Sequence, residues 1–375
     1  MQNDKTGFNE AEPRLSAYLH ARARREGIPL AGTFELTARC NFSCRMCYVH
    51  LTEQEQQRRG RELTAGEWLD IAEKARNRGM LFLLLTGGEP LIHPDFRYML
   101  TELKRLGLLV SVNTNGSLID GEWLEFFRRE PPFRFNISLY GAENETYEQL
   151  CGLPAFDRVV KNIRALRETG VGVKLNVSLT QHNAADMEKI YKLAEELGAP
   201  LQVASYMFPP VRRDEAMTGR NDRFTPLEAA EYAVKWDRLR FSGEQLRARS
   251  EAMRRGLSLP REDVCEDSPG EGVACRAGRS TFWIDWQGNM SPCGMMTGPR
   301  FSVPELGFDH AWEAVRTATE AIRLPAECVS CRYRHACHAC AAMCQAEAGR
   351  FDGIPEYICE MTKEIVRLTI EEVEG

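Results

Sequence analysis

The sequence predicts an α/β protein built on a parallel sheet, with a cysteine-rich C-terminal region. Three observations predict it. Strand-length apolar runs alternate with helix-length amphipathic stretches up to about residue 207, a polar Arg-rich connection follows, and nine of the 13 cysteines lie from Cys265 onward. Strands that alternate with helices need right-handed crossovers, which build either an open doubly wound sheet or a barrel. Periodicity alone does not choose between them.

A short amphipathic helix, with Leu15, Tyr18, Leu19 and Ala23 as its apolar positions, ends at Gly27 and Pro29. Strands are expected at Thr33 to Thr37, Leu81 to Leu85, Leu109 to Asn113, Arg134 to Leu139, Val171 to Leu179 and Leu201 to Ser205. Between them, apolar residues spaced by three and four mark helices around Trp68 to Ala75, Phe96 to Leu106, Trp123 to Phe127, Phe156 to Leu166 and Met187 to Leu197. The stretch PPVRRDEAMTGRNDRFTP breaks the pattern and leads into one or two helices between Pro226 and about Arg255. Beyond Pro260 the chain is too rich in Cys, Gly and Pro to fold on apolar burial alone, so bound metal is expected to help. A helix from Glu360 to Val373 closes it. The expected units are an N-terminal helical segment (1–30), an α/β body (31–207), a helical linker (208–260), a cysteine-rich domain (261–360) and a C-terminal helix (361–375).

Charge and composition narrow the function. A net charge of -6 gives no electrostatic reason to expect nucleic acid. Met80 to Leu85 is the longest strongly apolar run, far short of the ~20 residues a membrane span needs, and the N-terminus lacks a secretory apolar region, so a cytoplasmic location is expected. An odd cysteine count without an export signal argues against a disulfide framework and for metal-bound thiolates.

Cys40-Asn-Phe-Ser-Cys44-Arg-Met-Cys47-Tyr48 follows the first strand directly, at the sheet edge where α/β folds bind ligands. Structural zinc normally takes four ligands, whereas a four-iron cluster on three thiolates keeps one iron open. Zinc with a distant fourth ligand and three unrelated buried cysteines are the alternatives. The triplet, with its aromatic Tyr48, resembles the signature of the radical S-adenosylmethionine (SAM) superfamily. That resemblance implies a partial (β/α)6 TIM-like barrel and a 4Fe-4S cluster on Cys40, Cys44 and Cys47 whose open iron chelates SAM. Leu83-Leu84-Leu85-Thr86-Gly87-Gly88-Glu89-Pro90 matches the family's SAM-binding GGEP segment, with Glu89 as acceptor for the amino group. Its paired glycines permit positive φ and let a ligand approach bare backbone.

Asn115 and Ser138, at later strand ends, fall where the family binds ribose and carboxylate; each residue type is equally at home in a turn or cap. Peptide-modifying members carry Ser-x-Asp-Gly and a following Arg, but this chain has Ser138-Leu139-Tyr140-Gly141 and no such Arg, so Lys174 and Asn176 are the expected carboxylate partners. Cys151 reads as a small buried residue.

The run Cys275, Gly288, Cys293, Cys328, Cys331, Cys337, Cys340, Cys344, Cys359 resembles the SPASM extension of radical SAM enzymes, which implies two auxiliary 4Fe-4S clusters. Ser280 to Asp285, a turn through Trp286 to Asn289, and Met290 to Cys293 read as a hairpin. By analogy Cys265, Cys275, Cys293 and one late cysteine hold the inner cluster, and Cys328, Cys331, Cys337 and Cys359 the outer one. The fourth inner ligand lies between Cys340 and Cys344, with Cys344 preferred. Zinc knuckles are the alternative reading, and His335 and His338 are expected to be structural or solvent-facing.

The resemblance implies reductive cleavage of SAM and hydrogen abstraction from a peptide or protein residue, with an external electron donor such as flavodoxin or ferredoxin. The alternatives are a dehydrogenase or epimerase acting on a small metabolite and a non-enzymatic iron-sulfur electron-transfer or scaffold protein. Gly294, where sulfatase-maturing members have an Asp after the cysteine, argues against that branch. Cys151, Tyr140 and Tyr206 are candidates for the final hydrogen donor. With 39 residues before Cys40, an independent leader-binding domain is not expected, and Arg212 and Arg213 are weighed as attractors of an acidic peptide against a solvated linker face.

Overall fold

The computed structural model describes residues 14–258 and 272–374. In chain order the helices are α1 Arg14–Glu26, α2 Glu53–Arg59, α3 Ala65–Asn77, α4 Phe96–Arg105, α5 Gly121–Arg129, α6 Asn144–Cys151, α7 Phe156–Glu168, α8 Met187–Glu196, α9 Pro226–Arg240, α10 Gly243–Ser258, α11 Val303–Leu306, α12 Phe308–Ala321, α13 Ala326–Val329, α14 Ala341–Ala348 and α15 Glu356–Glu374. The strands are β1 Ala31–Glu35, β2 Phe82–Thr86, β3 Leu109–Thr114, β4 Arg134–Ser138, β5 Val173–Ser178, β6 Leu201–Ala204, β7 Thr281–Ile284, β8 Asn289–Ser291 and β9 Phe301–Ser302.

The spatial order β6-β5-β4-β3-β2-β1-β7-β8-β9 answers what periodicity left open. A doubly wound sheet reverses direction at a switch point, whereas β1 to β6 add one after another on the same side, all parallel. Successive right-handed crossovers therefore put their helices on one face, and the sheet curls into a partial barrel. Alternation along the strands separates two environments. Phe34, Leu83, Val110, Val112, Phe135, Ile137, Leu175 and Ile284 point to the helices and are buried in one core. Phe34 stacks on Trp68 of α3 at 4.7 Å. The opposite face lines a lumen and is mostly polar.

The cysteine-rich region does not sit apart from this sheet. Its hairpin begins with β7, which pairs in parallel with β1, and turns back through Asp285 and Gly288 into β8 as the Trp-Gln-Gly-Asn segment predicts. Capping boxes at Thr52/Glu55, Thr64/Glu67 and Thr225/Glu228 start α2, α3 and α9. The closing helix begins four residues earlier than its periodicity indicates, and α2, α6 and α11 to α14 are additions to the expected set, among them the 14-residue α12 in a region expected to lack long periodic runs. No helix of the described residues is long and apolar enough to cross a membrane.

A buried ion pair ties the loop beyond β6 to α14. Arg223 Nη1 lies 2.5 Å from Glu347 Oε1, with side-chain exposures of 6% and 5%, and the guanidinium covers the Tyr357 ring at 3.8 Å. Removing one partner strands the other charge out of water. Glu347→Ala is expected to cost about 3–5 kcal/mol in urea unfolding; a loss below about 1 kcal/mol would show that the pair does not act as a joint.

Candidate active site at the C-terminal edge of the barrel

The loop leaving β1 carries the cysteine triplet, and two neighbouring loops fix its path. From the β2 side, Gly88 N donates to Thr37 O (2.8 Å) and Glu89 N to Arg39 O (2.9 Å). From the C-terminus of α6, the Cys151 and Leu150 carbonyls accept from Ser43 N and Arg45 N, both at 3.0 Å. The segment that lacks the expected Arg thus serves as a docking edge for the triplet. Arg39 pairs with Glu62 at 3.0 Å, bracing the loop from a third direction.

Backbone and amide N–H groups point at the sulfurs. Phe42 N lies 3.4 Å from Cys40 Sγ, His50 N 3.2 Å from Cys47 Sγ, and Asn115 Nδ2 3.8 Å from Cys40 Sγ. Burial pushes the Cys40 thiol up to about 12, with a smaller upward push from Glu89, Cys44 and Cys47. The Cys151 thiol hydrogen-bonds to Cys44 and, with burial, holds Cys44 far above the usual thiol range. Burial raises Cys47 too. Three soft donors on one loop, two of them facing N–H groups and all costly to ionise alone, fit a cationic iron-sulfur centre that would pair their charge.

Glu89 is fully buried. Its Oε1 accepts from Leu91 N (3.1 Å) and Thr114 Oγ1 (2.8 Å), and its Oε2 accepts from Asn115 N (2.8 Å). Burial raises its carboxyl to about 7, opposed by those three hydrogen bonds. It therefore orients the loop after β3, placing Asn115 over Asn41 (2.9 Å) and Cys40. The reason given for the glycine pair needs correction. Neither Gly87 nor Gly88 has positive φ, and a Cβ on Gly87 would come 2.6 Å from Thr37 O while one on Gly88 would overlap Arg39 O. They are bare because another backbone occupies that space. Pro90 is buried and opens a 3-10 turn capped by Glu89.

Ser138 and Asn176 sit opposite one another on β4 and β5, facing the lumen. Lys174 lies two residues lower and donates to Gln202 on β6. Tyr140, partly buried beside Cys44 and Cys151, hydrogen-bonds Ser138, and lost hydration holds its phenol well above the ordinary range. Tyr206 donates to Glu347 Oε1 at 2.7 Å.

Arg212 does not face solvent. It grips Glu35 at the end of β1 through two 3.0 Å contacts and also donates to Gly294 O at 2.9 Å, while Trp283 Nε1 donates to Glu35 at 3.1 Å. Its guanidinium stands 5.8 Å from the Tyr48 ring. Committed to these partners, it is not available to attract an acidic peptide; Arg213 is exposed and reaches Cys47 O at 3.4 Å. The sequence signal was a lone acid ending an apolar strand, a charge that burial obliges to find a cation.

The C-terminal thiols fall into two neighbourhoods. Cys328, Cys331, Cys337 and Cys359 line one cavity of about 460 Å³. Cys293 is raised to about 11 by burial and feels Cys340 and Cys275. The two candidates for the fourth inner ligand, Cys340 and Cys344, lie in different surroundings. Cys340 caps α14 beside Cys275, whereas Cys344 is buried one turn later against Val273, Met296, Ile322 and Leu324 and feels Cys328 before Cys340. Cys265 lies outside the described residues. His335 packs on Gly256, and His338 lines a recess with Arg249 and Tyr333.

Residues 34–194 match the radical SAM superfamily. The chain carries a radical SAM domain. Over 336 residues, 85% of this chain and 93% of the relative, it is 27% identical to an AdoMet-dependent heme synthase of Methanosarcina barkeri. It is 33% identical to a probable GTP 3',8-cyclase of Saccharolobus islandicus over 165 residues, 44% of this chain and 52% of that one. Its fold follows SuiB of Streptococcus suis bound to its precursor peptide SuiA (TM-score 0.67, 18% identity, 92% of this chain and 80% of that one). It also follows anSMEcpe with bound AdoMet (TM-score 0.66, 19% identity, 92% and 98%). The matched residues form a radical SAM domain, a domain whose chemistry uses SAM and a 4Fe-4S cluster.

Iron counting separates the two late cysteines. Cys340→Ala is expected to lower iron by about four atoms per chain after anaerobic reconstitution, and Cys344→Ala to leave it unchanged. Equal losses would place both thiols on clusters.

Proposed function

We propose that this radical SAM enzyme abstracts hydrogen from a small molecule bearing acidic side groups, in the manner of the heme synthases, and that the lumen is its reaction chamber. What carries the reading is the relationship to an AdoMet-dependent heme synthase over 85% of this chain and 93% of the relative. The partial match to a GTP 3',8-cyclase names a second acidic small molecule.

Cys40, Cys44 and Cys47 would hold the SAM-binding cluster. When bound, that cluster supplies the electron that splits SAM and so frees a 5′-deoxyadenosyl radical. Asn115, Ser138 and Asn176, which face the lumen's upper rim, would take the polar groups of SAM; Tyr48 and the Gly87 to Pro90 loop would wall it. Glu89 positions Asn115. Cys275, Cys293 and Cys340 with Cys265 would hold the inner auxiliary cluster, and Cys328, Cys331, Cys337 and Cys359 the outer one. Electrons would arrive from a flavodoxin or ferredoxin. Tyr140, beside the triplet, is better placed than Tyr206, whose hydroxyl is taken by Glu347, to return a hydrogen to the product.

A peptide substrate is the second reading. Among the described residues strand β6 pairs with β5 alone and forms the sheet's edge, which an extended chain could lengthen.

Reconstituted protein with a strong reductant is expected to bind about 12 iron atoms and to release 5′-deoxyadenosine, and Cys44→Ala to abolish that release. A carboxylated tetrapyrrole should raise the release at least tenfold where unstructured peptides do not. Stimulation by peptides alone would reverse the order of the two readings.

A further inference from the structure

Pairing register lays out the lumen face residue by residue. Ser111 sits beside Arg134, Asn113 beside Asn136, and Asn136 beside Lys174; the row above runs Ser138, Asn176, Gln202. Two positions on adjacent strands carry positive charge, and neither has an acid to answer it. Along all nine strands the single acidic residue is Glu35, on β1, already held by Arg212 and Trp283. Arg134 Nε is buried with no hydrogen-bond partner, and so is Asn136 Oδ1, although the Asn136 amide donates to Asn113 at 2.8 Å. Lys174 reaches only the neutral Gln202 amide. Lost hydration first, and the Arg134 charge second, push the Lys174 ammonium below its ordinary range.

Two half-buried cations that repel each other, beside an orphaned donor and an orphaned acceptor, contribute nothing to the stability of the fold. They suit a ligand. A carboxylate or phosphate accepts from both cations at once, and a hydroxyl or N–H next to it on the same molecule satisfies Asn136 Oδ1. Lys174 lies two residues, about 7 Å of strand, below Asn176, and Arg134 four residues, about 13 Å, below Ser138, both deeper than the rim assigned to SAM.

We infer that Arg134 and Lys174 form an anion-holding floor in the barrel lumen, and that the substrate carries a carboxylate or phosphate that reaches down to it. The inference rests on the lumen being the chamber of the proposed reaction and narrows the substrate to molecules with an acidic arm.

The test uses reconstituted holoenzyme with inorganic phosphate as probe, against chloride at equal ionic strength. Wild type should gain a phosphate-specific rise in Tm. Arg134→Gln and Lys174→Gln should each lose most of that rise while their Tm in chloride stays level or increases, since a repulsion is gone. Lys174→Arg should keep it, and SAM affinity by equilibrium dialysis should stay within twofold in all three. Gln variants that retain the full phosphate effect would overturn the floor. A tenfold loss of SAM affinity would overturn it as a substrate site, because the pair would then serve the carboxylate of SAM. Failure of tetrapyrroles to stimulate 5′-deoxyadenosine release would count against the proposed function and leave this measurement readable.

Discussion

The close approach of two loops governs the active site. Where the chain leaves β2, Gly87 and Gly88 press against the backbone of residues 37 to 39, and two main-chain hydrogen bonds lock the contact. No side chain fits in between. The triplet cannot move relative to the sheet without breaking that contact, and Asn115 is placed from the same point because Glu89, the next residue, takes the Asn115 N–H. One short segment therefore sets both the position of the sulfurs and that of a donor aimed at them. The buried carboxylate is affordable because protein donors replace the water it gave up.

Two Arg-Glu pairs then fasten the cysteine-rich region to the barrel at separate places. Arg212 with Glu35 works at the β1 end and reaches the loop after Cys293; Arg223 with Glu347 works at the β6 end and reaches α14. Both guanidiniums are bidentate or nearly so and largely out of water, a geometry that punishes displacement of either partner. Cys293 is thereby held close enough to Tyr48, next to the triplet, to act on its phenol.

Much of this was legible in the sequence, and the reasons differ by element. The six parallel strands were readable as short apolar or alternating runs between helix-length stretches, with bounds off by one or two positions. The hairpin was readable from its Trp-Gln-Gly-Asn turn. Its pairing with β1 was not, because that contact joins residues some 250 positions apart and leaves no local trace. Helix α6 escaped because eight residues give too few turns for periodicity to show. Arg212 read as solvated because PPVRRDE is polar in composition, while its environment is set by Glu35 far upstream. That Cys340 begins α14 while Cys344 lies a turn inside it is something spacing does not encode. Lys174 was singled out on strand five as a partner for the SAM carboxylate, but Arg134, on the adjacent strand, was invisible as its neighbour until register aligned β4 with β5.

The sheet running unbroken from β1 into β7 means that the C-terminal portion is no detachable accessory. Excising it would strip the metal-bearing strand of one flank and turn an interior member of the sheet into a bare margin, with unpaired N–H and C=O groups ready to recruit another chain. Grafts and truncations between members of this architecture should therefore be cut inside the helical stretch of α9 and α10 only when the returning hairpin travels with the barrel.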